Sequence, residues 1–221
     1  MSAPKTVFIA GATGYIGQRL CTRLIQRGHT VFALARPESQ GKLPPACHAV
    51  IGDALNADSY AAHVPSGCVF VHLVGVAPPS PTKAHQFIDI DLASARASLS
   101  AAQHAEHFVY MSVAQPAPVM AAYIRVRQEV EQLIQRSGLD ASILRPWYVL
   151  GPGHRWPLLL LPFYWLGERV PLTRQAAQRL GLVSLAQMVN ALTDVTEQAL
   201  PGLHIYDVLK IRNGCGNSTA T

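Results

Sequence analysis

Charge is scarce in this chain of 221 residues. Asp, Glu, Lys and Arg make up only 14% of it, and the mean hydropathy is +0.18. That composition excludes a disordered, self-repelling polymer and a highly charged scaffold. Lys and Arg number 18 against 13 Asp and Glu, a net charge of +5. No cluster of basic residues stands out, so no nucleic-acid partner is expected. A phosphorylated cofactor needs only a few cations. Cysteine is scarce as well: Cys21, Cys47, Cys68 and Cys215 are the full set. No two stand at metal-ligand spacing, so no metal site is expected, and buried free thiols in a reducing compartment are the default. The N-terminus carries no signal-type apolar region beyond Thr6–Ala10, so a cytoplasmic protein is expected. Internal repeats and low-complexity linkers are absent from the sequence. Long apolar runs are too: Trp156–Leu166 is too short to span a bilayer and is interrupted by Pro157 and Pro162.

What is present begins at Gly11-Ala12-Thr13-Gly14-Tyr15-Ile16-Gly17. An apolar run, Thr6–Ala10, precedes it. Ile16, Leu20 and Leu24 follow at helical spacing. Strand, tight glycine turn and helix start make a phosphate cradle. The glycines let the backbone approach a pyrophosphate, and the positive end of the helix favours the anion. Gly11, Thr13, Gly14, Tyr15, Ile16 and Gly17 are therefore the candidate cofactor loop.

Further strands are expected at Thr30–Ala35, Ala46–Ile51, Val69–Val74, His107–Val113, Ser142–Leu150 and Leu203–Val208, with helices over Lys83–His104, Ala121–Ser137 and Leu185–Leu200. This alternation predicts an α/β fold with a doubly wound parallel sheet of Rossmann type. Residues 1–212 read as one domain, with 151–200 as a small substrate-side lobe and 213–221 as a flexible tail. Arg36 ends the second strand, where an Arg accommodates the 2′-phosphate of NADP and an acid binds the 2′-hydroxyl of NAD. The first acid, Glu38, comes two residues later, so NADP(H) is favoured over NAD(H). Asp53 is a candidate for the adenine or a turn residue, with Asp58 a candidate helix cap. Leu73, Val74 and Gly75 end the fourth strand where a cofactor passes close by. His72 reads as a buried, hydrogen-bonded core histidine. Asp89 and Asp91 stand out in an Ala/Ser-rich helix, one of them facing the sheet or cofactor.

The loop spacing, with Ala-Thr inside it and Tyr-Ile before the last glycine, resembles the extended and atypical branches of the short-chain dehydrogenase/reductase superfamily. Leu144-Arg145-Pro146 before Gly151-Pro152-Gly153 and the Val183–Leu192 segment fall in the expected order. The resemblance implies a Tyr-x-x-x-Lys pair on a helix, with the Tyr as proton donor, and a Ser that orients the substrate carbonyl. Here the matching stretch is Tyr123-Ile124-Arg125-Val126-Arg127. Arg127 stands where Lys is expected, Ser112 is the candidate hydroxyl, and Asp91 falls near the position of a relay Asn. The implied function is NADP(H)-dependent reduction of a small apolar carbonyl, quinone or flavin-type acceptor. The alternatives are a non-catalytic, NmrA-like cofactor sensor or assembly factor, and a nucleotide-sugar epimerase or dehydratase. Trp156–Leu166 is a candidate substrate pocket, homo-oligomer surface, or membrane or protein contact.

Overall fold

The structure is a computed structural model describing residues 3–76, 84–117, 120–152 and 180–215. Seven parallel strands form one sheet. They are β1 (Thr6–Ala10), β2 (Thr30–Ala35), β3 (His48–Ile51), β4 (Val69–His72), β5 (His107–Met111), β6 (Ala141–Leu144) and, skipping two short strands, β9 (Leu203–Tyr206). Their order across the sheet is β3-β2-β1-β4-β5-β6-β9. The direction of winding reverses between β1 and β4, which is where an open α/β sheet leaves a crevice at its carboxyl edge. The central strands are apolar on both faces because both faces are covered.

One face carries α1 (Gly17–Gln26) and α4 (Leu185–Gln198). Val7, Ile9, Leu20, Leu24, Val71, Val109, Met188 and Leu192 fill that layer. The other face carries α3 (Ala121–Ser137) and α2 (Ala93–Ala101). α2 continues from a short turn, Ala84–Gln86, through a π-helical stretch, Phe87–Leu92. In this second layer Phe8, Phe70 and Phe108 lie side by side in register, with ring centroids 5.0 and 5.5 Å apart. Two residues nearer the carboxyl edge the same row becomes polar: His72 sits opposite Tyr110.

Local chemistry sets the ends. Gly28 and Gly138 take left-handed backbone after α1 and α3, at φ +86° and +73°, as helix stops require. Ser184 and Gln187 close a reciprocal capping box on α4. Several sequence expectations are corrected. The sixth strand does not run to Leu150. β6 stops at Leu144, because Pro146 has no N–H for the ladder. The chain then leaves the sheet to form β7 (Tyr148–Leu150), which pairs with β8 (Leu182–Ser184) in a separate ribbon. The last strand stops at Tyr206. Asp207 accepts from the Lys210 N–H at 2.9 Å and starts a further helix, α5 (Val208–Asn213). Asn56, rather than Asp58, caps the short turn after β3. The Trp156–Leu166 segment lies outside the described residues.

Candidate functional site

The Gly11–Gly17 loop lies at the carboxyl edge between β1 and α1. Gly11 has φ +89°, and a Cβ there would lie 2.7 Å from the Leu73 carbonyl carbon. The loop therefore presses against the end of β4 as only glycine permits. A Cβ on Gly17 would collide with the Gly11 carbonyl oxygen. The turn is closed by the Gly14 N–H donating to Gly11 O at 3.0 Å. The N-terminus of α1 has no side-chain cap and no acidic residue in its first turn. A backbone cradle without side chains, facing an uncapped helix start, fits the pyrophosphate of a dinucleotide. Thr13 and Ile16 are half-buried. The half-buried Tyr15 ring faces Arg19, whose guanidinium carbon is 4.5 Å from its centroid.

Arg36 extends from the end of β2 with its side chain 68% exposed, paired to Glu38 at 3.1 Å. Asp53 is exposed, and its Oδ1 accepts from the Leu55 N–H at 3.0 Å, which makes it a turn residue in this structure. Leu73 and Val74 are half-buried and Gly75 is exposed at the end of β4. A Cβ on Gly75 would lie 2.5 Å from Arg127 Nη2.

That contact locates Arg127. The guanidinium is buried beneath Gly75, where it donates to Asp91 Oδ1, to the Tyr110 hydroxyl at 3.0 Å and to the Met111 carbonyl at 3.0 Å. The Val76 N–H donates to the other Asp91 oxygen at 3.0 Å. Asp91 is thus the buried member of the two acids, and Asp89 is exposed. Tyr123 is half-buried, its ring tilted against Phe87 at 5.0 Å. The Arg127 guanidinium carbon lies 5.0 Å from the Tyr123 ring centroid. Arg127 therefore stands beside Tyr123, but its mapped hydrogen bonds go inward to Asp91 and β5. Arg127 makes these contacts from two nitrogens of its planar fork, a geometry that the single nitrogen of a Lys ammonium does not reproduce.

Ser112 is also turned inward. Its hydroxyl donates to Glu131 Oε1 at 2.5 Å. Glu131, one helical turn after Arg127, also accepts from Gln115 at 2.9 Å and from both Arg145 Nε and Nη2. The otherwise apolar face of α3 thus carries two buried charges, each pinning the helix to the carboxyl ends of β5 and β6. Glu131 and Tyr110 escaped the sequence reading, and Arg145 entered it only as part of Leu144-Arg145-Pro146, without this role. The available signal was a charged pair at i, i+4 on a helix face of Ile124, Val130 and Ile134. His72 is the core histidine expected: Nδ1 lies 2.9 Å from Ser98 Oγ, and burial lowers its pKa to about 3.

Among the described residues no group of His, Cys, Asp or Glu is placed to hold a metal, and no helix is long and apolar enough to cross a membrane.

The sequence profile of a family described as NAD(P)H-binding matches residues 11–154, starting at the first glycine of the loop. The chain belongs to this NAD(P)H-binding family. A curated relative, the 3-diazoavenalumate denitrifying reductase of a Streptomyces species, is 29% identical over 175 residues. That match covers 66% of this chain and 57% of the relative, so the chain spans little more than half of that protein's length. The chloroplastic divinyl chlorophyllide a 8-vinyl-reductase of Oryza sativa subsp. indica is 56% identical over 34 residues, covering 15% of this chain and 8% of its own. Among solved structures, the Bordetella bronchiseptica enzyme WbmH in complex with NAD+ superposes with a TM-score of 0.67 at 18% identity, over 92% of this chain and 75% of its own. A UDP-galactose 4-epimerase superposes at 0.70 with 15% identity, over 94% and 81%. These solved structures establish a shared Rossmann-like fold.

Proposed function

We propose that this chain is an NADPH-dependent reductase. One observation carries the reading: the Gly11–Gly17 loop closes on the end of β4 and opens into the uncapped start of α1, at the crevice of the sheet. The nicotinamide cofactor supplies a hydride when bound. The loop backbone holds the pyrophosphate. Arg36 meets the 2′-phosphate, since an exposed pair with Glu38 costs little to exchange for a phosphate. Leu73, Val74 and Gly75 would line the nicotinamide ribose of a bound cofactor, and Asp53 would be the candidate partner of its adenine.

Tyr123 is the proton donor in this reading, with Arg127 keeping a cation beside its ring. The Ser112 hydroxyl donates to Glu131, so Tyr123 acts without a serine partner from that position. A quinone or flavin, whose conjugated ring spreads the incoming electron pair without a serine to polarise one carbonyl, is the first acceptor class to examine. Both curated relatives are named as reductases, one of a diazo compound and one of a vinyl group. Residues 1–212 act as one domain in a cytoplasmic setting.

The inward hydrogen bonds of Arg127 and Ser112 favour a second reading, a cofactor-binding sensor without turnover. Fluorescence titration with NADPH and NADH tests the shared premise. NADPH is expected to bind more tightly, and Arg36→Ala to weaken it about tenfold while sparing NADH. A screen of quinone, flavin and carbonyl acceptors then separates the readings. A reductase loses kcat in Tyr123→Phe and keeps its NADPH affinity. A sensor binds NADPH and turns over none of these acceptors.

A further inference from the structure

The chain leaving β4 is gripped at two places. At Leu73 and Val74 it meets the cofactor loop: a Cβ on Gly11 would lie 2.7 Å from the Leu73 carbonyl carbon and 2.9 Å from the Val74 nitrogen. At Gly75 and Val76 it meets two buried charges. A Cβ on Gly75 would lie 2.5 Å from Arg127 Nη2 and 3.0 Å from Asp91 Oδ1. Asp91 divides its carboxylate between two donors. Oδ1 accepts from Arg127 Nη2, and Oδ2 accepts from the Val76 N–H at 3.0 Å. Arg127 is held in turn by the Tyr110 hydroxyl and the Met111 carbonyl of β5. Asp91 comes from the π-helical stretch Phe87–Leu92, where it is buried with Phe87 and Leu92 while Asp89 is exposed. Two helical segments and β5 thus converge on the backbone of Gly75 and Val76, and Gly75 remains exposed at the crevice.

We propose that Asp91 is a positioning residue for the nicotinamide half of the cofactor site, a role that rests on the reading of this chain as NADPH-binding. With the Val76 N–H on one oxygen and Arg127 on the other, Asp91 holds the Gly75–Val76 backbone as a fixed floor for the nicotinamide ribose. The missing Cβ of Gly75 lets that floor lie directly on the ion pair. The adenine half is held separately, by the glycine loop and Arg36. A floor fixed beforehand spares the cofactor the entropy of ordering it on binding. The task calls for a carboxylate, because both neighbours are donors. An Asn amide offers a single acceptor oxygen and turns its NH2 towards the other donor. Either the Val76 N–H or Arg127 would then lose its acceptor, and the guanidinium would lose its counter-ion.

The test is calorimetric titration of the full chain with NADPH and with adenosine 2′,5′-bisphosphate, which carries the adenine and the 2′-phosphate but no nicotinamide. Asp91→Asn keeps the side-chain volume. It is expected to weaken NADPH about tenfold and to leave the bisphosphate within about twofold of wild type. Gly75→Ala leaves both charges in place and pushes the backbone off them. It should give the same split, and it decides the matter should Asp91→Asn fail to fold. A merely structural role for Asp91 would weaken both ligands together or neither, and either result would overturn the proposal. So would a wild-type chain that binds the two ligands equally, or that binds NADPH alone. A wild-type chain that binds neither would instead refute the NADPH reading, and the role of Asp91 with it.

Discussion

Arg127 and Asp91 form an ion pair with side-chain exposures of 4% and 0%, directly beneath Gly75 at the crevice. Removing one member strands the other charge out of water, at a cost of about 3–5 kcal/mol. Arg127→Met and Asp91→Leu are each expected to lose stability on that scale in urea unfolding. The double variant should lose less than the two singles together, because neither charge is then stranded. Additive losses would show that the pair is not coupled.

Ser112 belongs to the second charged clamp. Ser112→Ala removes one of the hydrogen bonds on Glu131 and should cost about 1.5–3 kcal/mol, the range for a bond to a charged group. NADPH affinity should not change. A loss of binding with unchanged stability would place Ser112 at the cofactor site instead.

Gly11 and Gly28 both have positive φ, but differ in surroundings. A Cβ on Gly28 meets nothing within 4 Å, whereas one on Gly11 enters the Leu73 backbone. Gly28→Ala should cost about 1 kcal/mol of stability and leave NADPH binding intact. Gly11→Ala should cost more and abolish binding. Equal effects of the two changes on NADPH titration would remove the case for the loop as the cradle.

Burial lowers His72 to about 3 and His107 to about 4, while an unfolded histidine titrates near 6.5. Between those values the unfolded chain takes up protons that the folded chain refuses. Stability therefore falls as pH drops below about 6.5, by about 1.4 kcal/mol per pH unit for each histidine. His107→Gln, which can keep a donor towards Ser142, should remove roughly half of the dependence. Urea midpoints at pH 7.5 and 5 measure it; identical midpoints would mean that both imidazoles titrate freely in the folded chain.

The sequence was most legible where local patterns decide. Thr6–Ala10, Thr30–Ala35 and Ala121–Ser137 end where apolar runs, helix periodicity and glycine stops place them. The loop glycines were readable because strand and helix flank them. The interior of the site was not. Arg127 meets Asp91 across 36 positions, and Arg145 meets Glu131 across 14; neither separation repeats in a sequence pattern. The Tyr-x-x-x-Arg spacing located Tyr123 and Arg127 on one helix face, but only packing reveals that the guanidinium turns under Gly75. The end of β6 was legible in principle, since Pro146 breaks the ladder, yet the apolar run beyond it reads as continuous strand.

The strand order has a consequence for synthesis. β1 leaves the ribosome before the other strands of this sheet, and it finishes in the interior, between β2 and β4. β2 and β3 follow it and pair on one side. The other edge of β1 stays open until β4 is made, and β4 in turn waits for β5. Such long-range pairing is slow to form and leaves apolar edges open in the meantime. The nascent chain therefore has its greatest exposure to aggregation over the stretch from β3 to β4.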